Sequence, residues 1–441
     1  MYARLASCDV TPRDRPVQLA GYASRKGTVS KVLDPIEISA LLLECDEQRC
    51  LIFSFDLLIV GSELQSQILA RLRQLGFGTR EIVLLASHTH CAPGTDQASI
   101  RLGTPDLGFV EDVAAATESL VLQIQRMKPR QFNLEVRQGE LDHSINRRRY
   151  WPFPTWGRTH GFRLTSTVLA PNPSGPTNEI ATVMVLRQVD DGRPLGVIWH
   201  YTCHPTAVVL DDVISADYPG AVRSALREEF GTIPCIFLQG FCGDTRPNIP
   251  SSEHSIPLRK RLMKVARTVA SGPTFPTPTV DDWLRWSKRL TAGVCGIATC
   301  RDGNTFSQNR LQTGFAKIPL GDFFEGITPD KMLVSQIVRF GHEFEVVALS
   351  AEASIGWQHI LDQAFPIPSG RVRLYAGYLG ALFGYLPTPA QVPQGGYEVD
   401  GFQALFGLSG HFQADQIGPA IVRCVGQAFE DLERAERQST T

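Results

Sequence analysis

Two histidine clusters of this chain each follow an apolar run that predicts a β-strand. His88 and His90 come directly after the run 81–86, and side chains two residues apart on an extended segment point to the same side. His204 follows the run 195–202 and precedes a proline, which favours an extended conformation. Neutral imidazole is a common metal ligand. With only 10 histidines in 441 residues, the clustering favours a metal site over the alternative, histidines that cap loops.

A third segment that could carry chemistry, residues 239–248 (QGFCGDTRPN), follows the apolar run 234–238. Its two glycines allow close backbone approach to a substrate. Arg246 could clamp a carboxylate or a phosphate through two parallel hydrogen bonds, and the alternative is an ion pair with a nearby acid. Asp244 could orient a metal ligand.

A cationic motif, Asn146-Arg-Arg-Arg149, stands at the head of residues 146–179, which are rich in Arg, Trp, Pro and Gly. This composition predicts a long irregular loop, and long loops inside compact domains are usually functional. Asn146 and Arg147 are therefore candidate substrate contacts. A solvated charged face is the alternative for the arginines.

Two other polar residues have simpler interpretations. Asp217 precedes a helical pattern over 219–230, so we expect it to cap that helix. Its functional alternative is to orient a ligand histidine. We expect His200, which lies within a predicted strand, to pack in the core or behind a ligand rather than to bind a metal itself.

Apolar runs of strand length alternate with helical periodicity along the chain, which is typical of α/β proteins. We therefore expect mixed β-sheets flanked by helices. A basic helix over 258–270 lies within a Pro- and Ser-rich stretch, 250–279, that could serve as a linker. The predicted strands are 50–55, 81–86, 180–187, 195–202, 234–238 and 344–349, and the predicted helices are 62–75, 108–127 and 219–230.

The composition excludes several classes of protein. Its 43 basic and 45 acidic residues give a net charge of −2, which offers no electrostatic footprint for nucleic acid or an anionic membrane. With 43% apolar and 20% charged residues, the chain is typical of globular rather than disordered proteins. No apolar run reaches ~18 residues, so we expect no integral membrane association. No apolar segment follows the N-terminus, so no signal peptide is visible and a cytoplasmic location is predicted. The ten cysteines form no CxxC pair and predict reduced thiols.

These motifs, in this order, resemble the catalytic domain of the neutral/alkaline (non-lysosomal) ceramidase family. The resemblance implies a single large catalytic domain over 1–437. The family's C-terminal immunoglobulin-like domain is expected to be missing, because no run of short alternating strands follows residue 400. The motifs that carry the resemblance are CDVTP at 8–12, SHTHCAPG at 87–94, INRR at 145–148, HPT at 204–206, SADYPG at 215–220, QGFCGDTRPN at 239–248, GYLPT at 384–388 and GGYE at 395–398.

The resemblance also implies the chemistry of the site. One zinc ion would be held by four side chains, His88, His204, Glu352 and Tyr385. His90 would lie beside the metal as a hydrogen-bonding or proton-transfer group, and Tyr397 would stabilise the oxyanion that develops during attack. A zinc ion would activate a water and polarise an amide carbonyl. The expected function is therefore hydrolysis of the amide bond of a small molecule, with no nucleic-acid partner.

One position departs from the family's pattern. Family members carry serine within GDVSPN, whereas this chain reads GDTRPN and places Arg246 there. A long cation in place of a small hydroxyl argues against ceramide itself. We therefore expect an amide substrate that is polar or anionic near the scissile bond, contacted by Arg246 with help from Arg147. The alternatives are a lipid amide, an ester or a small polar amide cleaved by the same site, and a ligand-binding homologue without turnover.

Overall fold

The computed structural model describes residues 1–97, 99–157, 161–252, 268–269, 271–307, 310–328 and 330–439. Helices and strands alternate through most of this part of the chain. The α-helices are α1 (Ser62–Gln74), α2 (Leu107–Arg126), α3 (Asp217–Phe230), α4 (Val280–Thr299), α5 (Gly356–Ala364) and α6 (Ala414–Ser439).

A large mixed sheet contains nine strands of the described chain: β1 (Tyr2–Asp9), β2 (Glu37–Cys45), β3 (Gln48–Phe55), β4 (Ile82–Ala86), β5 (Arg130–Glu140), β10 (Ile180–Gln188), β11 (Pro194–Tyr201), β12 (Cys235–Gln239) and β14 (Asn304–Ser307). Their order is β12-β11-β10-β5-β1-β2-β3-β4, and β14 also pairs with β5. The pairs β3–β4 and β11–β12 are parallel, and the other pairs along this path are antiparallel.

Smaller sheets complete the structure. A four-stranded sheet, β15-β17-β18-β20, contains β15 (Leu311–Pro319), β17 (Met332–Phe340), β18 (Phe344–Leu349) and β20 (Val372–Ala376). A three-stranded sheet, β13-β6-β9, contains β6 (Ser144–Trp151), β9 (Ser166–Asn172) and β13 (Thr245–Pro247). The two-stranded pairs are β7 (Thr155–Gly157) with β8 (Gly161–Arg163), β16 (Phe324–Glu325) with β22 (His411–Phe412), and β19 (Glu352–Ala353) with β21 (Tyr385–Leu386).

Two sheets packed face to face form the centre of the molecule. Leu43 and Ile52 of the large sheet share an apolar cluster with Val338 and Val346 of the four-stranded sheet. The opposite face of the large sheet packs on α1 and α2 near β1–β4 and on α3 and α4 near β10–β12. Alternate residues along each strand therefore contact either the second sheet or a helix, which explains why these strands are apolar on both faces.

The large sheet curves so strongly that strands far apart in its order approach each other. Ser54 Oγ in β3 donates a hydrogen bond of 2.8 Å to the carbonyl oxygen of Phe237 in β12. The segment after β4 and the segment after β11 consequently meet, although β4 is the last strand of the sheet order and β11 is the second. This curvature places the two histidine clusters side by side.

The predicted fold class is confirmed: the structure is α/β, with mixed sheets flanked by helices. The predicted strands and helices match observed elements to within two residues at each end. The predicted irregular loop over 146–179 is wrong, because β6 and β9 lie there and pair with each other. The predicted basic helix over 258–270 lies almost entirely outside the described residues. All ten cysteines are free thiols, as predicted.

A buried carboxylate ties three strands of the four-stranded sheet together. Glu345 in β18 accepts hydrogen bonds from Arg339 of β17 at 2.9 Å and from Arg373 of β20 at 2.7 Å. Arg371 lies 3.4 Å away, and the Glu345 side chain is 0% exposed. Removing this charge would leave Arg339 and Arg371 without this carboxylate, and Arg373 would keep only Asp362, 3.3 Å away.

We predict that Glu345→Gln lowers the free energy of unfolding by about 3–5 kcal/mol, because a buried charge left without its partner is strongly destabilising. Urea unfolding measures this change. Glu135→Gln is the matched control: Glu135 also pairs with two arginines, Arg137 and Arg187, but its side chain is 18% exposed, and its loss should cost about 1 kcal/mol or less. Equal losses would contradict the role of burial.

Candidate active site

Three buried histidines converge at the ends of two strands. His88 and His90 follow β4, and His204 follows β11. Their Nε2 atoms are 3.1 Å apart for His88 and His204, 3.2 Å for His90 and His204, and 3.4 Å for His88 and His90. Burial lowers the pKa of His90 and of His204 well below the usual value, so both rings are neutral. The three nitrogens form a group that could hold a metal ion.

The surroundings of the Nδ1 atom distinguish His88 and His204 from His90. His88 Nδ1 lies 2.7 Å from the carbonyl oxygen of Leu58, and His204 Nδ1 lies 3.3 Å from that of Cys242. A carbonyl oxygen only accepts hydrogen bonds, so each Nδ1 carries a hydrogen, and in the neutral tautomer the Nε2 presents a lone pair. This arrangement is typical of metal-ligating histidines. His90 Nδ1 has no hydrogen-bond partner among the described residues.

A carboxylate oxygen lies close to one of these nitrogens. Glu352 Oε2 lies 3.3 Å from His88 Nε2, and this buried oxygen receives no hydrogen bond within the described part of the chain. In the parallel pair β19–β21, Glu352 stands opposite Tyr385. A metal ion could bridge a carboxylate oxygen and an imidazole nitrogen at this separation. Four nitrogen or oxygen ligands around zinc at 2.0–2.1 Å stand about 3.3 Å apart, which agrees with the 3.1 Å between His88 and His204 and the 3.3 Å between His88 and Glu352.

The backbone at this site adopts conformations that side chains normally avoid. His88 has a φ of 66°, Asp217 of 58° and Tyr378 of 59°, and such strain persists where the surrounding structure fixes it. The Tyr378 ring stacks on His88 with centroids 4.0 Å apart. The Tyr378 hydroxyl lies 3.1 Å from Cys242 Sγ. The stacked ring fixes the direction of His88.

Asp217 holds the segment that follows His204. Its carboxylate accepts hydrogen bonds from the backbone N–H groups of Ala207 and Val208 at 3.0–3.2 Å, and burial raises its pKa to about 6. The expectation that Asp217 caps α3 is wrong, since it is the first residue of that helix. Its contacts correspond to the alternative, a residue that positions the chain next to a candidate ligand. His200 packs in the core as expected, with Nε2 3.0 Å from the carbonyl oxygen of Tyr375.

His90 is held by packing. A side chain at Gly21, whose φ is 104°, would place its Cβ 2.5 Å from His90 Nδ1, so only glycine fits there. The Tyr22 ring packs against the imidazole, with ring centroids 4.8 Å apart. Arg25 donates a hydrogen bond of 2.6 Å to the His90 carbonyl oxygen. The start of the chain therefore contributes to the site.

A cavity of about 360 Å³ opens onto this group. Its wall includes His90, His204, Tyr385 and Tyr397. Tyr397 begins a short π-helical turn, Tyr397–Gly401, of the kind that occurs frequently at functional sites. Burial raises the pKa of Tyr397 to about 12. Its hydroxyl therefore keeps its proton at neutral pH and can donate it in a hydrogen bond inside the cavity.

Arg147 lines the cavity but is bound to the protein itself. Its Nε donates to Glu398 Oε1 at 2.8 Å, and a terminal nitrogen donates to the carbonyl oxygen of Gly243 at 2.7 Å. Arg148 binds the other oxygen of Glu398 at 2.7 Å, and Glu398 is 0% exposed. The two arginines are thus buried in an ion-pair network and do not form a solvated face. No local sequence pattern predicted that Glu398 is the buried partner of these arginines.

The remaining predicted substrate contacts occupy different places. Arg246, in β13, lines the cavity. Asn146, opposite Thr245 in the neighbouring strand β6, donates hydrogen bonds to the Pro176 carbonyl at 3.1 Å and to Asp244 at 3.4 Å, and it is not part of the cavity wall. Asp244 also accepts a hydrogen bond of 2.7 Å from the backbone of Ile355, so it fixes the segment that follows Glu352.

The fold is that of known ceramidase structures. A crystal structure of neutral ceramidase from Pseudomonas aeruginosa matches with a TM-score of 0.71 and 16% identity, over 98% of this chain and 74% of that chain. A ceramidase complexed with C2 matches with a TM-score of 0.70 and 15% identity, over 99% of this chain and 75% of that chain. No curated protein matches the sequence.

The sequence itself places the chain within a family. Residues 4–275, more than half of the chain, match the family described as neutral/alkaline non-lysosomal ceramidase, N-terminal. The chain therefore belongs to the neutral/alkaline ceramidase family, as the motifs predicted, and family membership implies a hydrolase that acts on carbon–nitrogen bonds other than peptide bonds. Among the described residues, no helix has the length and apolar character needed to cross a membrane.

The contrast between the histidines predicts unequal effects on metal binding. We expect His204→Ala to weaken zinc affinity by about 100-fold or more, because it removes a nitrogen whose lone pair is fixed toward the ion. His90→Ala, the matched control from the same cluster, should retain zinc within about tenfold, since His90 lacks that orienting hydrogen bond. Competition with a chromophoric chelator measures both affinities. An equal loss in the two variants would show that His90 is a ligand.

Proposed function

We propose that this protein is a zinc-dependent hydrolase that cleaves an amide bond of a small molecule. The observation that carries the proposal is the convergence of two oriented imidazole lone pairs and an unpaired carboxylate oxygen, from His88, His204 and Glu352, beside a cavity. Family membership supports the class of bond.

We assign the metal to His88, His204 and Glu352, with Tyr385 as the fourth ligand. Tyr385 lines the cavity and stands opposite Glu352 in β21. Two imidazole nitrogens, a carboxylate and a phenolic oxygen form a donor set that suits zinc and leaves room for a water. Zinc bound there would lower the pKa of that water toward ~7 and polarise the amide carbonyl.

Three other side chains of the cavity would stabilise the developing charge and transfer the proton. The Tyr397 hydroxyl donates a hydrogen bond to the amide oxygen as that oxygen gains negative charge. His90 Nε2 accepts the proton released during attack and delivers it to the leaving nitrogen. The neutral ring of His90 suits this exchange, because it starts with a free lone pair. Arg147 Cζ lies 5.4 Å from the centroid of the Tyr385 ring and 5.7 Å from that of the Tyr397 ring. The positive charge of Arg147 therefore favours negative charge on the phenolic oxygen of either tyrosine.

Metal content and turnover together test the proposed function. We expect the purified protein to bind zinc in a 1:1 ratio and to hydrolyse members of a panel of N-acyl amides that ranges from ceramide to short polar amides. Chelation should abolish this activity and added zinc should restore it. The panel includes the matching esters, so faster ester cleavage would assign the alternative reaction. Protein that binds no zinc, or that turns over equally well with and without chelator, would contradict the proposal.

The oxyanion role predicts a selective effect of one hydroxyl. We expect Tyr397→Phe to lower kcat by roughly 10²–10³-fold, since it removes one preorganised donor to the transition state. KM and zinc content should stay near their original values. Tyr378→Phe is the matched control, because it removes a buried hydroxyl beneath the site that faces Cys242 and not the cavity. A kcat that falls equally in both variants would mean that the loss is structural.

From the sequence we also propose a single catalytic domain over 1–437, a cytoplasmic location and a small-molecule substrate.

A further inference from the structure

The two arginines of the cavity differ in how their charges are balanced. Arg147 and Arg246 both line it, whereas no aspartate or glutamate belongs to the described part of its wall. Arg147 donates to the buried carboxylate of Glu398 and to a backbone carbonyl. Its charge is therefore satisfied within the protein, and it offers little to a ligand beyond a favourable field.

Arg246 has no such partner. Its Nε is buried without a hydrogen-bond acceptor among the described residues, and no carboxylate of the described chain lies within ion-pair distance of it. The Phe275 ring covers one face of the guanidinium, with Cζ 4.2 Å from the ring centroid. Burial lowers the pKa of Arg246, and the nearby charge of Arg147 acts in the same direction. A desolvated cation without a counter-ion is costly unless a ligand supplies the missing charge.

From these contacts we propose that the substrate is an amide that carries a carboxylate, and that Arg246 binds this carboxylate. The inference rests on the proposed function, since it names the substrate class of the same site. The planar guanidinium presents paired N–H groups that match the two oxygens of a carboxylate, and Arg246 lines the cavity while Phe275 covers one of its faces. Because His90, His204 and Arg246 line one cavity, the carboxylate lies in the same chamber as the scissile bond.

The size of the cavity supports a small acid. Its volume of about 360 Å³ is near the lower end of the range for small-molecule sites, roughly 300–1,000 Å³. An N-acyl amino acid with a short acyl group, or a short dicarboxylic monoamide, fits such a volume. The two compounds place the carboxylate on the amine side and on the acyl side of the scissile bond, so a comparison of them identifies the side.

The test compares each acid with a neutral compound of the same shape. N-hexanoylglycine is paired with N-hexanoylglycinamide, and a succinic monoamide is paired with its diamide. With zinc-loaded protein, we expect kcat/KM to favour at least one acid over its neutral partner by on the order of a hundredfold. Arg246→Gln should reduce this ratio to about one, and Arg246→Lys should give an intermediate value because it keeps the charge without the paired N–H geometry.

Two further measurements separate this inference from the proposed function. Arg149→Gln is the matched control: Arg149 belongs to the same cationic motif as Arg147 but is exposed and donates to the Pro171 carbonyl, so the ratio should not change. Calorimetric titration of zinc-free protein with each compound reports binding without turnover, and the acid should bind in the original protein but not in Arg246→Gln. If no amide is hydrolysed but the acid still binds through Arg246, only the proposed function fails. Equal binding and turnover of acid and neutral compound, or an unchanged ratio in Arg246→Gln, would overturn the inference.

Discussion

The central constraint of this structure is the fixed direction of two imidazole lone pairs. The carbonyl oxygens of Leu58 and Cys242 require a hydrogen on Nδ1 of His88 and His204, so in the neutral tautomers the Nε2 lone pairs face each other at 3.1 Å. Glu352 Oε2 lies 3.3 Å from His88 Nε2. A cation bound between these groups would offset the repulsion between the lone pairs and the carboxylate. The strained backbone and the curved sheet maintain an arrangement that apolar packing alone would not favour.

Long-range polar contacts support this centre from the opposite side of the cavity. Glu398 binds Arg147 and Arg148, which precede it by about 250 residues, and Asp244 joins β6 to the segment after Glu352. Each of these groups is buried and each has a partner. A buried network of this kind is stable only when it is complete, so it fixes the loops around the cavity to one geometry. The late motifs of the chain are thereby joined to the strand β6.

The sequence predicted the strands whose buried side chains are mostly apolar, and it failed to predict β6, whose buried side chains are largely polar. The strand 344–349 was placed to the residue, because every position in it is apolar or packed. In β6 the buried positions include Asn146, Arg147 and Arg148, so apolar periodicity, the primary signal of a strand, is absent. Tyr378 had no local signal either, since its role comes from stacking on His88. The histidine clusters were visible because each directly follows a predicted strand, whereas Glu352 and Tyr385 were reached only through the family resemblance.

Charge balance explains why two arginines of one cavity should have different roles. A guanidinium that already donates to a buried carboxylate is a structural cation, and its removal would unbalance Glu398. Arg246 stands in the same wall with an aromatic ring against one face and no carboxylate partner in the described chain. The free energy spent on desolvating it is recovered only when an anion enters. Arg246 therefore favours binding of an acid but lowers the stability of the protein without a ligand. Such a compromise between function and stability is expected at a binding site.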